Sequence, residues 1–173
     1  ISPNPIPAGS TATISYKVNT ATGEKKWGRS SYEAAIKVNG TNRGKIEVVA
    51  NITDNFNAYT DQMKQNAPKP YIAKSYYEFG EVKAGEVVKV TFKVSNRGHN
   101  DLIVYKIDSD AKGTVIDTAM PVKVKAGGEA VVSYKYDTSG QSGEVVNALT
   151  LVTNAPEKPT MNYFIAGSVL TTK

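Results

Sequence analysis

The residues that could do chemistry are few and widely spaced. The single histidine, His99, lies in Asn96-Arg97-Gly98-His99-Asn100-Asp101, a polar turn between two strand-like segments. An imidazole there is solvated and has no nucleophile and acid placed around it in sequence, so it does not mark a catalytic site. No serine sits in a nucleophile-elbow motif. The chain has no cysteine, which excludes disulfides, thiolate metal sites and thiol nucleophiles. Asp108-Ser109-Asp110 carries two carboxylates at calcium-loop spacing, but no further acidic ligands follow, and a solvated turn accounts for it. The glycine-rich turns lack the strand–helix context of a phosphate loop. The reading is that of a protein with no catalytic residues, no cofactor and no metal site, and hence not an enzyme.

Two groups of residues are suited to binding. Lys25, Lys26, Trp27 and Arg29 place the only tryptophan among three cations, a combination typical of interface hot spots. The competing reading is that Trp27 packs on its own domain. Tyr59, Tyr71, Tyr76 and Tyr77 cluster at the expected domain junction, where interdomain packing is the simpler role and a ligand groove the alternative.

The elements that must position these residues follow from a phrase that occurs three times. It reads Ala8-Gly9 to Ser15-Tyr16-Lys17, Ala84-Gly85 to Thr91-Phe92-Lys93, and Ala126-Gly127 to Ser133-Tyr134-Lys135. Apolar side chains fall on alternate positions: Ala12, Ile14, Tyr16 and Val18; Val88, Val90, Phe92 and Val94; Ala130, Val132, Tyr134 and Tyr136. Period-two alternation predicts a half-buried strand in each copy. The first and third copies stay alike further on, Gly28 matching Gly143, Ile36 matching Leu151, and Val48, Ala50 and Ile52 matching Ile165, Gly167 and Val169. The middle copy diverges. Residues 6–53 therefore repeat only the second half of residues 71–173.

The fold expected is all-β, an immunoglobulin-like β-sandwich. Residues 1–53 are the C-terminal half of one such domain, its last three strands, at about Thr11–Asn19, Tyr32–Val38 and Lys45–Thr53. Asn39-Gly40 signals a hairpin between the last two, and Thr22–Arg29 a hairpin tip. Residues 54–72 are a linker with a short helix capped by Asp54, whose Tyr59 and Met63 are spaced to dock it, followed by a proline-stiffened stretch. Residues 73–173 are a complete domain of seven short strands. Three strands alone leave an apolar face and unpaired edges, so the apolar residues of 12–18 and 34–38 should bury against something outside residues 1–53. Strands preceding Ile1, a second chain, or the neighbouring domain could supply that cover.

The net charge is +5 and the isoelectric point about 9.2. Its lysines mostly sit singly on outward strand positions (Lys17, Lys89, Lys93, Lys135), the pattern of a solvated sheet rather than of a nucleic-acid surface. No stretch is apolar enough to span a bilayer as a helix.

The phrase Phe79-Gly80-x-Val82-x-x-Gly85, then Phe92-Lys93-Val94-x-Asn96-x-Gly98-x-x-x-Leu102, with Leu149-x-Leu151-x-Thr153-Asn154-Ala155-Pro156, resembles a family of immunoglobulin-like domains. This is domain-of-unknown-function family fifteen-seventy-three, of secreted proteins of Bacteroidetes-type bacteria, itself similar to the Hydin/ASH and PapD-like β-sandwiches. The stretch Ile107–Thr114 lacks the cysteine that many members carry there, so no redox or metal role transfers. The resemblance implies a periplasmic, outer-membrane-associated or extracellular protein with a structural or protein-binding role. A protein partner is expected, including self-association through the incomplete domain. The alternatives are a carbohydrate-binding accessory module, for which Trp27 is the candidate aromatic, and a strand-exchange assembly subunit.

Overall fold

The computed structural model describes residues 1, 4–20 and 26–171. The chain divides into two compact units, Ile1–Ile52 and Thr53–Lys173.

The first unit is a hairpin, β1 (Gly28–Val38) and β2 (Thr41–Ile52), preceded by an extended segment. Asn39 and Gly40 both have positive φ, 50° and 79°, as a two-residue hairpin turn of matching twist requires. The register repeats that of the last two strands of the second unit, β10 (Gly143–Thr153) and β11 (Thr160–Leu170). Gly28 faces Ile52 as Gly143 faces Val169, Tyr32 faces Val48 as Asn147 faces Ile165, and Ala34 faces Ile46 as Leu149 faces Tyr163. The sequence repeat is thus a structural repeat, pair for pair.

The expected third strand over residues 11–19 does not form. Beyond an isolated bridge at Thr13, the segment is extended without a ladder. The Ala-Gly turn before it does form, with the Ser10 amide on the Pro7 carbonyl at 3.1 Å and Gly9 at φ 70°. The reason lies in the second unit, where the equivalent strand β9 (Glu129–Asp137) pairs with β5 (Val87–Asn96) and β7 (Thr114–Ile116), never with β10 or β11. The described residues of the first unit hold no counterpart of β5 or β7. A segment without those two neighbours has no ladder of that kind to join. Ile14 and Tyr16 are 40% and 38% exposed and Ile36 is half-buried, so among the described residues the expected burial of Ile14 and Tyr16 is not met.

The linker differs from expectation in detail. Its helix α1 covers only Asp61–Gln65, capped by the Thr60 hydroxyl, which accepts the Met63 amide at 3.3 Å. Asp54 is not the cap; its carboxylate accepts the Tyr105 hydroxyl instead. No helix residue is buried, and Met63 is exposed. The Tyr59 ring meets Phe56 edge-on at 5.3 Å rather than forming a docking face with Met63. After the helix the chain is held tightly: Ala67 and Pro68 are buried, and a Cβ on Gly98 would lie 2.7 Å from the Pro68 Cα, so this approach requires glycine.

The second unit is a two-layer sandwich. One sheet runs β4 (Tyr76–Lys83), β11, β10, β6 (Leu102–Ser109), β8 (Val122–Val124); the other runs β3 (Pro70–Tyr71), β5, β9, β7. The inward sets of β5 and β9 are those the alternation predicts, Val88, Val90, Phe92, Val94, Val132, Tyr134 and Tyr136, and they pack on Leu149, Leu151, Tyr163 and Ile165 of the opposite sheet. Lys89 and Lys93 point to solvent. β3 and β8, two and three residues long, carry too little pattern to be read from sequence.

Candidate binding cleft

The aromatic residues of the second unit converge where β4 enters the sandwich. β4 runs parallel to β11, with Tyr76 beside Phe164 and Tyr77 beside Ile165. Alternation sends Tyr76 outward and Tyr77 toward the gap between the sheets. There a cleft of about 260 Å³ opens, bounded by Lys74, Tyr76, Tyr77, Phe92, Lys93 and Tyr163. Its floor is the stacked pair Phe92 and Tyr163, with ring centroids 4.0 Å apart and planes 12° from parallel. Tyr134 stands edge-on to both, at 6.4 Å from each.

Two of the phenols here are harder to ionise than a free tyrosine. Burial first, then the neighbouring Tyr163 and Tyr77 phenols, push the Tyr134 hydroxyl above its ordinary pKa. Burial and Tyr77 do the same for Tyr163. The Tyr134 hydroxyl is buried with no hydrogen-bond partner among the described residues. The Lys74 Nζ stands 4.6 Å from the Tyr76 ring centroid, a cation–π contact, and the Lys93 Nζ bonds Glu129 at 2.9 Å. The cleft offers aromatic faces, hydroxyls and rim cations, which suit recognition.

Among the described residues, β4 is also the one long edge strand in the sheets of this unit. The other edge strands, β3, β7 and β8, have two or three residues, whereas β4 has eight. Short edges resist added strands; a long one with unpaired amides and carbonyls can accept an extended polypeptide.

The other residues singled out from sequence fall elsewhere. Tyr71 belongs to β3, with the Arg97 guanidinium stacked 3.2 Å from its ring centroid. His99 is exposed in its turn. The Asp110 carboxylate accepts the Ala148 amide at 2.8 Å, and Asp108 pairs with Lys106, so the two are not turned to a common cation. Of the basic group, Lys25 lies outside the described residues. Trp27 is half-buried, and Gly28 and Arg29 already belong to β1 rather than to a hairpin tip. The Lys26 Nζ lies 5.5 Å from the Tyr32 ring centroid. Sequence reasoning missed Phe92 and Tyr163 as cleft residues because their alternation marks them simply as core.

Two sheets packed face to face with this strand order make the second unit an immunoglobulin-like β-sandwich of the PapD-like kind. The family profile "Protein of unknown function (DUF1573)" matches residues 71–169. The chain belongs to that family. Among solved structures, a protein of unknown function from Porphyromonas gingivalis W83 is similar at 17% identity and a TM-score of 0.63, over 85% of this chain and 68% of that one. The ASH/PapD-like domain 7 of human CEP192 is similar at 12% identity and a TM-score of 0.51, over 72% of this chain and 99% of that one. At these identities the likeness is one of fold. No curated protein matches the sequence.

Proposed function

We propose that the chain is a non-enzymatic protein-binding module of the bacterial envelope, and that its complete domain takes an extended polypeptide along β4. The observation that carries this reading is the coincidence, among the described residues, of the unit's one long edge strand with its aromatic cleft. Backbone pairing along β4 supplies affinity for any extended segment. The cleft beside it supplies selectivity for a segment with an aromatic or large apolar side chain. The location rests on the family resemblance.

The test is selection of displayed random heptapeptides against the protein, followed by calorimetry on the winners. Binders should alternate apolar and polar residues and lose about tenfold or more in affinity on Tyr77→Ser, about 1.4 kcal/mol. Binders indifferent to both Tyr77→Ser and a proline at Glu78 would overturn the reading. Carbohydrate binding is the second reading, favoured by Tyr76 and Phe164 lying side by side and exposed on the outer sheet face. Glycan-array binding abolished by Tyr76→Ala would establish it in place of the first.

A further inference from the structure

A second cavity of the sandwich, of about 200 Å³, is lined by Lys69, Pro70, Tyr71, Arg97, Glu157 and Lys158 and shares no lining residue with the β4 cleft. Pro70 is buried and Tyr71 half-buried, while the four charged residues are exposed around them. The Arg97 guanidinium carbon lies 3.2 Å from the Tyr71 ring centroid, so the two planar groups are in face contact. The ring covers one face of the guanidinium and leaves its N–H edge turned outward. Among the described residues, no acceptor bonds that edge. The ammonium groups of Lys69 and Lys158 and the Glu157 carboxylate likewise make no hydrogen bond or ion pair with them.

The backbone beneath these side chains is held on both sides of the cavity. On one side the Arg97 amide donates to the Lys69 carbonyl at 2.9 Å, and the Lys69 amide to the Asn96 side-chain oxygen at 3.2 Å. Gly98 stands where a Cβ would run into the Ala67 carbonyl oxygen, which fixes the turn that carries Arg97. On the other side the Lys158 amide donates to the Ala155 carbonyl at 3.2 Å. Thr153 holds the same loop, its hydroxyl on the Lys158 carbonyl at 2.6 Å and its amide on the Pro159 carbonyl at 2.9 Å. A fixed backbone thus gathers three cations around one apolar wall. Like charges so gathered repel one another, and an anion between them relieves the repulsion.

We propose that this cavity binds an organic monocarboxylate with a compact apolar body. The carboxylate takes the N–H edge of Arg97, whose fork matches two oxygens in a plane. Lys69 and Lys158 stand beside it, and the apolar body lies on Pro70 and Tyr71. Charge selects the carboxylate over phosphate: the lining sets Lys69, Arg97 and Lys158 against the single carboxylate of Glu157, which repels a doubly charged ion more than a singly charged one. The apolar wall selects an acid with a hydrocarbon body over a bare inorganic ion. Such a group comes as a free small acid or as the last residue of a polypeptide, and the chemistry of recognition is the same. The inference goes beyond the β4 reading and does not rest on it.

The probes are isocaproate, its carboxamide, inorganic phosphate, and a short glycine-serine peptide ending in leucine with a free or an amidated terminus. In an NMR titration of the full chain, the two free acids should move the amides of Lys69, Arg97 and Lys158 and the Arg97 side-chain signal. The carboxamide and the amidated peptide should not. Arg97→Gln should weaken acid binding by about tenfold or more. Arg97→Lys keeps the charge and loses the fork, so it should weaken binding too. Glu157→Gln should tighten it. Unmoved Asn96 side-chain amide signals report that the backbone beneath is intact in each variant. Whichever free acid binds more tightly identifies the source, a small acid or a polypeptide terminus. Amides that bind as well as acids would overturn the proposal, as would phosphate binding more tightly than either acid. Affinity untouched by both Arg97 substitutions would overturn it too, and so would the absence of shifts at these residues up to ~20 mM acid.

Discussion

The side-chain oxygen of Asn96 accepts a hydrogen bond from the amide of Lys69, 27 residues earlier, at 3.2 Å. The same oxygen accepts the Gly98 amide at 3.0 Å, and the Asn96 Nδ2 donates to the carbonyls of Asn100 at 2.8 Å and Val124 at 3.1 Å. One buried amide thus ties the end of the linker to the β5–β6 turn and to the end of β8, with both its oxygen and its nitrogen hydrogen-bonded.

Asn96→Ala removes these four bonds and leaves buried backbone groups unpaired. Each unsatisfied group costs about 1–3 kcal/mol, so the substitution should lower stability by about 3 kcal/mol or more. Urea unfolding of the full chain, followed in the second unit, measures it. A loss below about 1 kcal/mol would mean that water replaces Asn96 easily and that the hub is incidental. Asn96→Asp should be no milder, since it keeps the acceptors, loses both donors and buries a charge.

The phenols give an alkaline prediction. Burial, then the hydrogen bond to Asp54, raises the Tyr105 hydroxyl above its ordinary pKa, and burial raises those of Tyr134 and Tyr163. A group whose pKa is raised on folding contributes stability that is fully present below its unfolded value, near 10, and lost as pH rises through the folded value. Stability should therefore decline above about pH 10, and phenolate absorbance should show late-titrating tyrosines in the native protein that join the rest on unfolding. Tyr105→Phe should remove one late phenol. A native titration superimposable on the unfolded one would refute the burial argument.

How far the sequence could be read depended on whether a residue's partners were near it in pattern or only in space. The alternation of β5 and β9 is a local property, and their inward and outward sets are as expected. Asn39-Gly40 specifies its turn because only a few residues tolerate positive φ twice in succession. The segment 11–19 carries the same alternation yet forms no strand, because alternation selects a face and not a ladder partner. The cleft was hidden for a related reason. Tyr77 meets Tyr163 only because β4 lies parallel to β11, and parallel neighbours are set by a long crossover that leaves no local signature. Asp54 resembles a cap in sequence because a carboxylate before a helix-like run looks the same whether it bonds a backbone amide or, as here, a distant tyrosine.

Thr138 is the counterpart of Asn96 at the other end of the β5–β9 ladder, and it tests whether these closing residues stabilise the sandwich. It is fully buried; its hydroxyl accepts the Gly85 amide at 3.1 Å and lies 2.9 Å from the Glu86 carbonyl and 3.2 Å from that of Lys83. Thr138→Val keeps the shape and removes the hydroxyl, so packing is preserved while the Gly85 amide and one carbonyl lose their partner. The expected cost is about 2 kcal/mol, with the largest gain in hydrogen exchange at Gly85. Thr138→Ser retains the hydroxyl and should keep Gly85 protected. If Val and Ser behave alike, the hydroxyl contributes little, and the turn at residues 83–86 is held by its own Glu86-to-Lys83 backbone bond. That outcome would also separate the two ends of the ladder, leaving Asn96 as the closing residue that matters.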